Sequence, residues 1–274
     1  MSAATFRALH ERRELFVMPN PWDAGTARLL ADLGFAALAT SSAALAWTLG
    51  RQDASGAVSR ADAIAHARTI AAASPLPVNG DFESGYGETP AEVGETIRQA
   101  IEAGLAGCSV EDMDQANGDL YPLEEALRRF DAAKEAAEKS GSGFVLTGRC
   151  EVFFTKNPDP LGEAVRRLKA YEAAGADVVY VPGLTTEAEV REIVGAVSVP
   201  VNVLGGIGGI SNDIDALEKL GVRRVSIGSG LAKVALGAFL DAANALTHRR
   251  FAYEKAASSS TLNGAFSTAP GDDD

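Results

Sequence analysis

The sequence predicts an α/β protein that folds as a single (β/α)8 barrel of the TIM type, and three observations support this. Eight short apolar runs alternate with eight stretches of helical pattern. Glycine-containing phrases, at 103–107, 174–177 and 220–223, end helices just before the next apolar run. A hydrophobic content of 46% over 274 residues is enough for one large core. Alternating strands and helices imply a parallel sheet, and eight such units over ~250 residues imply a closed barrel.

The elements follow this alternation from a short leading helix at 4–14. Asp23 and Ser59 are good N-caps for the first two barrel helices, and Gly34 and Gly141 are expected helix ends. The predicted strands are 15–18, 35–40, 76–78, 107–110, 144–148, 177–181, 199–204 and 222–227. The predicted barrel helices are 24–33, 59–73, 89–103, 123–139, 159–174, 185–194, 211–220 and 230–246.

Two parts are expected, a catalytic barrel at residues 1–250 and a C-terminal tail at 251–274 that is mobile or packs on a partner subunit. The net charge of −12 argues against nucleic acid and against an anionic membrane surface as partners. No apolar run reaches the ~18 residues needed to cross a bilayer, and the N-terminal residues lack the apolar stretch of a signal peptide. We therefore expect a cytoplasmic enzyme.

Carboxylates follow the third and fourth strands, where each strand ends. If the extended backbone continues, Asn79, Asp81 and Glu83 share one face, and Ser109 and Glu111 share a face on the next strand. Like charges so close repel one another, and burial increases the cost. A hard divalent cation removes this conflict, and oxygen ligands without His or Cys indicate Mg²⁺ or Mn²⁺. Asp81, Glu83 and Glu111 are therefore the predicted metal ligands; the alternative is that these acids only cap the following helices.

Arg149 is the basic residue at a strand end in this set. Its planar guanidinium could hold a substrate carboxylate, or it could form a salt bridge to Glu151 or to the metal-binding acids. Asn202 lies deeper, on the seventh strand, and is a candidate substrate contact.

The loops after the second strand contain three more candidates. Ser41 and Ser42 could offer hydroxyl and backbone N–H groups to a carboxylate, or they could simply begin a helix. Asp53 could act as a base, or it could belong to a surface turn.

Two glycine-rich loops follow the seventh and eighth strands, at 205–209 and 228–230. Phosphate sites in β/α barrels often use these loops, so a phosphate ligand is a competing interpretation. The remaining titratable candidates are interpreted as structural. The two cysteines are expected in the core and the three histidines on the outer faces of helices, at Cys108, Cys150, His10, His66 and His248.

Five motifs resemble the isocitrate lyase/phosphoenolpyruvate mutase superfamily. They are Pro-Asn-Pro-Trp-Asp (19–23), Thr-Ser-Ser-Ala (40–43), Asp-Phe-Glu-Ser-Gly-Tyr-Gly (81–87), Val-Glu-Asp (110–112) and Gly-Arg-Cys-Glu (148–151). The similarity keeps its order and spacing over roughly residues 5–245. The resemblance implies a magnesium-dependent barrel acting on 2-oxo acids or their enolates, in a homodimer or homotetramer with the last helix exchanged between subunits.

The resemblance also implies roles for individual residues. Asp81 would bind the metal directly, while Glu83 and Glu111 would hold it through water. A substrate-binding group would grip the carboxylate and oxygen atoms, and Asp53 falls where the family often has a functional aspartate. That group consists of Arg149, Ser41 and the amides near Ser42 and Ala43.

The chain departs from the family in the loop after Val-Glu-Asp. The lyases have a Lys-Cys-Gly-His lid there, whereas residues 113–121 contain no Lys, Cys or His. The Lys and Asn of the mutase are absent from the same loop, its histidine aligns with Pro182, and Glu83 replaces the usual aspartate. These differences argue against the isocitrate and methylisocitrate lyase reactions and against phosphoryl migration.

The predicted function is therefore magnesium-dependent cleavage of a C–C bond in a small 2-oxo acid, through an enolate. Decarboxylation of an oxaloacetate-like acid needs the fewest additional groups. One alternative is a protein that binds a 2-oxo acid, such as 2-oxoglutarate, without turnover. Another is phosphonomutase-like activity or hydrolysis of a C–C or C–P bond, with Asp53 activating water.

Overall fold

Eight parallel strands form the centre of the protein, as the sequence predicts. The structure, a computed structural model, describes residues 3–267. The strands are β1 (Phe16–Met18), β2 (Leu38–Ala39), β3 (Val78–Asp81), β4 (Gly107–Glu111), β5 (Met113–Asp114), β6 (Asp119–Leu120), β7 (Val145–Arg149), β8 (Val178–Tyr180), β9 (Val201–Leu204) and β10 (Arg224–Ser226). The main sheet has the order β1-β10-β9-β8-β7-β4-β3-β2, and β5 and β6 form a separate antiparallel hairpin.

The two ends of this sheet, β1 and β2, lie next to each other. The N–H of Ala39 donates to the carbonyl of Pro19 at 3.0 Å, and the Nδ2 amide of Asn20 donates to the carbonyl of Thr40 at 2.7 Å. These bonds bring the ends together, so the sheet forms a nearly closed (β/α)8 barrel.

The helices surround the barrel in the predicted order. They are α1 (Ala3–Glu11), α2 (Ala24–Asp32), α3 (Ser42–Thr48), α4 (Arg60–Ala73), α5 (Pro90–Glu102), α6 (Leu123–Ser140), α7 (Pro160–Ala173), α8 (Glu187–Ala196), α9 (Ile214–Lys219), α10 (Gly230–Thr247) and α11 (Ser259–Ala265). The predicted caps are confirmed, because Asp23 accepts from the N–H of Thr26 and Ser59 from that of Asp62. Gly141 ends α6 in the left-handed conformation, which costs glycine no Cβ clash.

The core has two parts, one on each side of the strands. The larger part lies between the sheet and the helices and includes Cys108 and Cys150, as predicted. The smaller part lies inside the barrel, where Phe6 and Leu9 of α1 pack against strand residues such as Met18. Helix α1 therefore closes the N-terminal end of the barrel, and the opposite end stays open.

The expectation for His10 was wrong, since this residue is buried and 8% exposed. It lies on the inner face of α1, with its ring edge-on to Phe6 at 4.7 Å between centroids. The sequence pattern of a leading helix does not show that its polar residue faces the barrel, because only the closed barrel gives α1 an interior to cover.

Two local elements were not predicted, since the hairpin β5–β6 follows β4 and α11 lies in the tail. Helix α3 begins directly after β2, as the helix-start alternative for Ser41 and Ser42 has it. In α11's region the ring of Phe266 packs under the guanidinium of Arg28, 5.5 Å from the centroid, so this part of the tail lies against its own barrel. The interpretation of 268–274 falls outside the described residues.

Helix α10 exposes an apolar face and contributes only Ala232 to the buried residues. Val234, Phe239 and Leu240 are 70%, 65% and 64% exposed. An exposed apolar surface of this kind is typical of an interaction site. Exchange of α10 between subunits remains a prediction, and this face supports it.

Replacing Phe239 and Leu240 by glutamate is expected to separate the subunits. The charged side chains would have to be buried without a partner wherever a second chain covers α10. Sedimentation velocity should show an oligomer for the unchanged protein and a monomer for the double variant at the same concentration. Lys139→Glu, an exposed position on α6, is the control and should leave the oligomer intact. An unchanged oligomer in the α10 variant would exclude this interface.

Candidate active site

A cavity of about 970 Å³ opens at the carboxyl ends of the strands. This is the end at which β/α barrels place their catalytic groups. The cavity is lined by all nine predicted site residues, which are Ser41, Ser42, Ala43, Asp53, Asp81, Glu83, Glu111, Arg149 and Asn202. The structure therefore brings the whole candidate set to one place, and their roles remain to be tested.

Arg149 lies at the centre of the acidic residues. Its Nη1 donates to Oδ1 of Asp81 at 2.9 Å, its Nη2 lies 3.3 Å from Oε2 of Glu111, and its Nε donates to Oε1 of Glu151. The guanidinium also packs over the ring of Tyr180, 5.1 Å from the centroid. The salt-bridge interpretation of Arg149 thus describes this structure, and two of its partners, Asp81 and Glu111, belong to the predicted metal ligands.

Asp81 is held from both sides. The second carboxylate oxygen, Oδ2, accepts bonds from the backbone N–H and the hydroxyl of Ser42, each at 3.0 Å. The N–H of Asp81 itself donates to Oγ1 of Thr40 at 2.8 Å. Ser41 caps α3 by accepting from the N–H of Ala44 at 3.3 Å, so the helix-start interpretation of Ser41 describes its contacts. These bonds fix the direction of the Asp81 carboxylate relative to Arg149.

Glu83 lies on the turn that follows β3. Its φ of 47° is in the left-handed region, which is uncommon for a residue with a Cβ and is retained here next to the site. Its carbonyl accepts the N–H of Glu111 at 3.0 Å, which ties the ends of β3 and β4 together. Burial and the nearby charges of Asp81 and Asp53 raise the pKa of Glu83 to about 7.

The other acids show the same crowding. Burial raises the pKa of Glu111 well above its ordinary value against the opposing effect of Arg149, and Glu151 and Asp81 raise it further. Burial and Asp81 also raise the pKa of Asp53, which is half-buried and lies in a turn that lines the cavity. Burial is the largest cause of each rise, and the neighbouring carboxylates add to it.

The chemistry of this donor set suits a divalent cation, since Asp81, Glu83 and Glu111 would supply hard oxygen ligands. Within residues 3–267, however, no three His, Cys, Asp or Glu side chains are arranged to hold a metal ion. Asp81 and Glu111 pair with Arg149 instead.

In metal-free buffer, Glu83→Gln is expected to stabilise the protein more at high pH than at low pH. Glu83 ionises at its ordinary pKa in the unfolded chain, whereas in the folded protein its pKa is about 7. Ionising Glu83 therefore lowers the free energy of unfolding, by nothing in acid and by an increasing amount as the pH approaches 7. His10, whose pKa is lowered to about 3, acts in the opposite direction, and the comparison of variant with parent cancels it. Calorimetry at about pH 5 and about pH 8 measures the effect. An equal difference in melting temperature at both pH values would contradict it.

Several cavity residues were missed. Tyr180 pairs with Arg149 in the strand register, so its position facing the interior follows from the alternation once the pairing is known. Gln115 of the hairpin donates from Nε2 to Oε1 of Glu111 at 3.3 Å, and no local motif announces it. The sequence places Arg224 on a strand and gives it no further role. Arg224 and Ser226 are two positions apart on that strand, so both side chains face the interior. Asn202 is nearby, and its amide is engaged by these two residues.

The glycine-rich loops after β9 and β10 also line the cavity, through Gly205, Gly206 and 228–230. Gly206 has a φ of 82° and Gly228 a φ of 52°, so each turn requires the left-handed conformation. The turns alone account for these glycines, and the phosphate interpretation remains a prediction.

A barrel with acids and an arginine at its open end defines an enzyme site. The sequence profile of the phosphoenolpyruvate phosphomutase family matches residues 6–247, and the chain belongs to this family. It is therefore an enzyme of the lyase and mutase type found in the isocitrate lyase/phosphoenolpyruvate mutase superfamily, as its motifs predicted.

No helix among residues 3–267 is both long and apolar enough to span a membrane.

Three similar proteins illustrate the range of the superfamily. A protein of Burkholderia cenocepacia J2315, assigned as a lyase/mutase, has a solved structure that is 44% identical, with a TM-score of 0.93 over 98% of this chain and 97% of that one. Oxaloacetate decarboxylase 1 of Pseudomonas putida (strain W619) is 28% identical over 86% of this chain and 81% of its own length. The chloroplastic carboxyvinyl-carboxyphosphonate phosphorylmutase of Arabidopsis thaliana is 30% identical over 69% of this chain, and the match covers 57% of that protein's length.

Proposed function

We propose that the protein is a magnesium-dependent lyase that cleaves a C–C bond of a small 2-oxo acid, with decarboxylation of an oxaloacetate-like acid as its reaction. One observation carries the proposal. The carboxylates of Asp81, Glu83 and Glu111 line one cavity with Arg149, and their three formal negative charges outnumber the single positive charge of that arginine. A site of this kind suits a cation together with a ligand that brings its own carboxylate.

Asp81, Glu83 and Glu111 would hold the magnesium ion, or manganese in its place. A bound ion of this charge acts as a Lewis acid toward a 2-oxo group. Asp81 is the best oriented of the three, since Ser42 fixes one of its oxygens.

Arg149 would bind the substrate carboxylate next to the 2-oxo group. Its guanidinium has five N–H donors, and three of them face Asp81, Glu111 and Glu151. Asp81 and Glu111 are also assigned to the cation, so metal binding would draw these two acids away from the arginine. Ser41, Ser42 and Ala43 line the same cavity, where a hydroxyl and backbone N–H groups would position the same carboxylate.

The reaction breaks the bond between C3 and the departing carboxylate. The electron pair of that bond moves into the 2-oxo system to give an enolate, and CO₂ leaves. Water then protonates C3 to give the shorter 2-oxo acid. Within residues 3–267 the hairpin brings no acid to the cavity for this proton, because its lining residues are Met113, Gln115 and Gly118.

The comparison with oxaloacetate decarboxylase 1 of Pseudomonas putida supports this reaction among those of the superfamily. The missing lid residues are the feature that favours the second candidate, a protein that binds a 2-oxo acid without converting it. Asp53 lies in the cavity with a raised pKa, which keeps hydrolysis of a C–C or C–P bond as a third candidate.

The test is product release by the purified protein with Mg²⁺. We expect pyruvate and CO₂ from oxaloacetate faster than in the same buffer with Mg²⁺ and no protein. Binding of 2-oxo acids without consumption would replace the lyase by the second candidate. Release of acetate from oxaloacetate, or of phosphate from a phosphonate, that is lost in Asp53→Asn would favour the third candidate, hydrolysis.

A further inference from the structure

Arg224 lies on the floor of the same cavity, on β10, and is 1% exposed. Its Nε donates to Oδ1 of Asn202 at 2.9 Å and its Nη2 donates to Oγ1 of Thr147 at 3.0 Å. Its Nη1 lies 3.1 Å from Nε2 of His10. These partners are neutral or can be neutral, and no carboxylate within residues 3–267 forms an ion pair with Arg224.

His10 does not compensate the charge. Its Nδ1 lies 2.8 Å from the carbonyl of Phe6, so Nδ1 holds the proton and Nε2 accepts from Arg224. Burial and the neighbouring Arg224 lower the pKa of His10 to about 3, which keeps the imidazole neutral. The floor therefore has a buried positive charge whose hydrogen bonds within residues 3–267 all go to neutral acceptors.

The guanidinium has five N–H donors, and three of them have acceptors in the protein. One donor on each terminal nitrogen remains for a ligand. Asn79 is a second polar group of this cavity whose bonding is incomplete, because its buried Oδ1 accepts no bond in the part of the chain that the structure describes. A buried charge without an opposite charge is costly, so an anionic group that reaches it gains a strong interaction.

The other two cations that line the cavity are placed differently, since Arg149 is the group proposed for the carboxylate next to the 2-oxo group and Lys233 is exposed. Arg149 is paired with Asp81, Glu111 and Glu151. Lys233 lies in the first turn of α10, over the ring of Trp47 at 5.8 Å. A second acidic group entering the barrel therefore meets Arg224 as the one buried cation among the described residues that lacks an acidic partner.

We propose that Arg224 binds a second acidic group of the substrate, one that is retained in the product. This rests on the proposed function and specifies its substrate class, a 2-oxo acid with a third acidic group besides the carboxylate next to the 2-oxo group and the carboxylate that leaves. The leaving carboxylate itself would not sit on Arg224, because a cation that stabilises it in the ground state opposes its loss as CO₂. The cavity of about 970 Å³ has room for an acid longer than oxaloacetate.

The experiment uses ligand pairs that differ only in the terminal carboxylate. They are 2-oxopentanoate with 2-oxoglutarate, and 2-oxohexanoate with 2-oxoadipate, titrated calorimetrically into the full chain with Mg²⁺. None of the four has a carboxylate on C3, so none is consumed by the proposed reaction. In at least one pair the diacid should bind about tenfold tighter or more, as for a hydrogen-bonded charge. Arg224→Gln should abolish this ratio and leave the affinity for the monoacid unchanged.

Three further variants separate the outcomes. Arg224→Lys should restore part of the ratio, and Lys233→Gln, which removes a rim charge, should keep all of it. Asp81→Ala should weaken both members of a pair equally. A ratio near one in the unchanged protein, or a ratio that survives in Arg224→Gln, overturns the inference even if Asp81→Ala abolishes binding. If Asp81→Ala binds both ligands normally while Arg224→Gln loses the ratio, the proposed function fails and the anion site stands. Because the readout is a ratio within one variant, partial loss of stability does not imitate it.

Discussion

Replacing Asp81 by alanine is expected to lower kcat/KM for the 2-oxo acid by about 10³-fold or more, since a metal ligand contributes several kcal/mol of charge stabilisation. The side chain takes part in three contacts that converge on one carboxylate. Two come from Ser42, and the third, from Arg149, sets the position of the guanidinium. Its loss removes a predicted metal ligand and leaves Arg149 free to turn toward Glu111 and Glu151.

Steady-state kinetics with Mg²⁺ held in excess measures this effect. Asp81→Asn keeps the shape and removes the charge, so it should lose nearly as much activity as alanine. Asp131→Ala, an exposed acid on α6, is the control and should match the parent enzyme. A variant at position 81 that keeps more than about a tenth of the activity would show that this carboxylate is dispensable.

Replacing Arg167 by methionine is expected to reduce the free energy of unfolding by about 3–5 kcal/mol, because it leaves a buried carboxylate without its charge partner. Nη1 of Arg167 lies 3.0 Å from Oδ2 of Asp112, and the two side chains are 5% and 0% exposed. The other oxygen of Asp112 accepts the N–H of Glu151 at 2.9 Å, and Nη2 of Arg167 donates to the carbonyl of Tyr121 at 2.9 Å. The pair thus fixes the ends of β4 and β7, from which Glu111 and Arg149 enter the cavity.

Urea denaturation gives the free energy, and a double-mutant cycle identifies its source. Asp112→Asn combined with Arg167→Met should be less destabilised than the sum of the single changes, because the second change removes the charge that the first left unpaired. Arg191→Ala breaks the exposed pair with Glu187 and should cost no more than about 1 kcal/mol. A cost for Arg167→Met as small as that of Arg191→Ala would exclude a structural role for the buried pair.

The barrel could be predicted because each of its units has a local signal. The caps at Asp23 and Ser59 and the helix end at Gly141 lie in the sequence next to the helices they begin or end. The position of Asp81 and Glu111 in one cavity could be predicted too, since the ends of neighbouring parallel strands meet at the same edge.

The contacts inside the cavity could not be predicted in the same way. Arg149 pairs with three acids at once, and these pairs depend on the distances between β3, β4 and β7. The twist of the whole sheet sets those distances. His10 meets Arg224 across 214 positions of the sequence, and only the closed barrel brings them together. Helix α10 has a helical pattern that gives no indication of what covers its apolar face.

Titration with Mn²⁺ followed by electron paramagnetic resonance measures directly whether the acids of the barrel mouth hold one divalent cation. We predict one bound Mn²⁺ per chain, displaced by Mg²⁺ and absent in Asp81→Ala. Failure of the unchanged protein to bind Mn²⁺, or equal binding by Asp81→Ala, would show that these acids do not form a metal site.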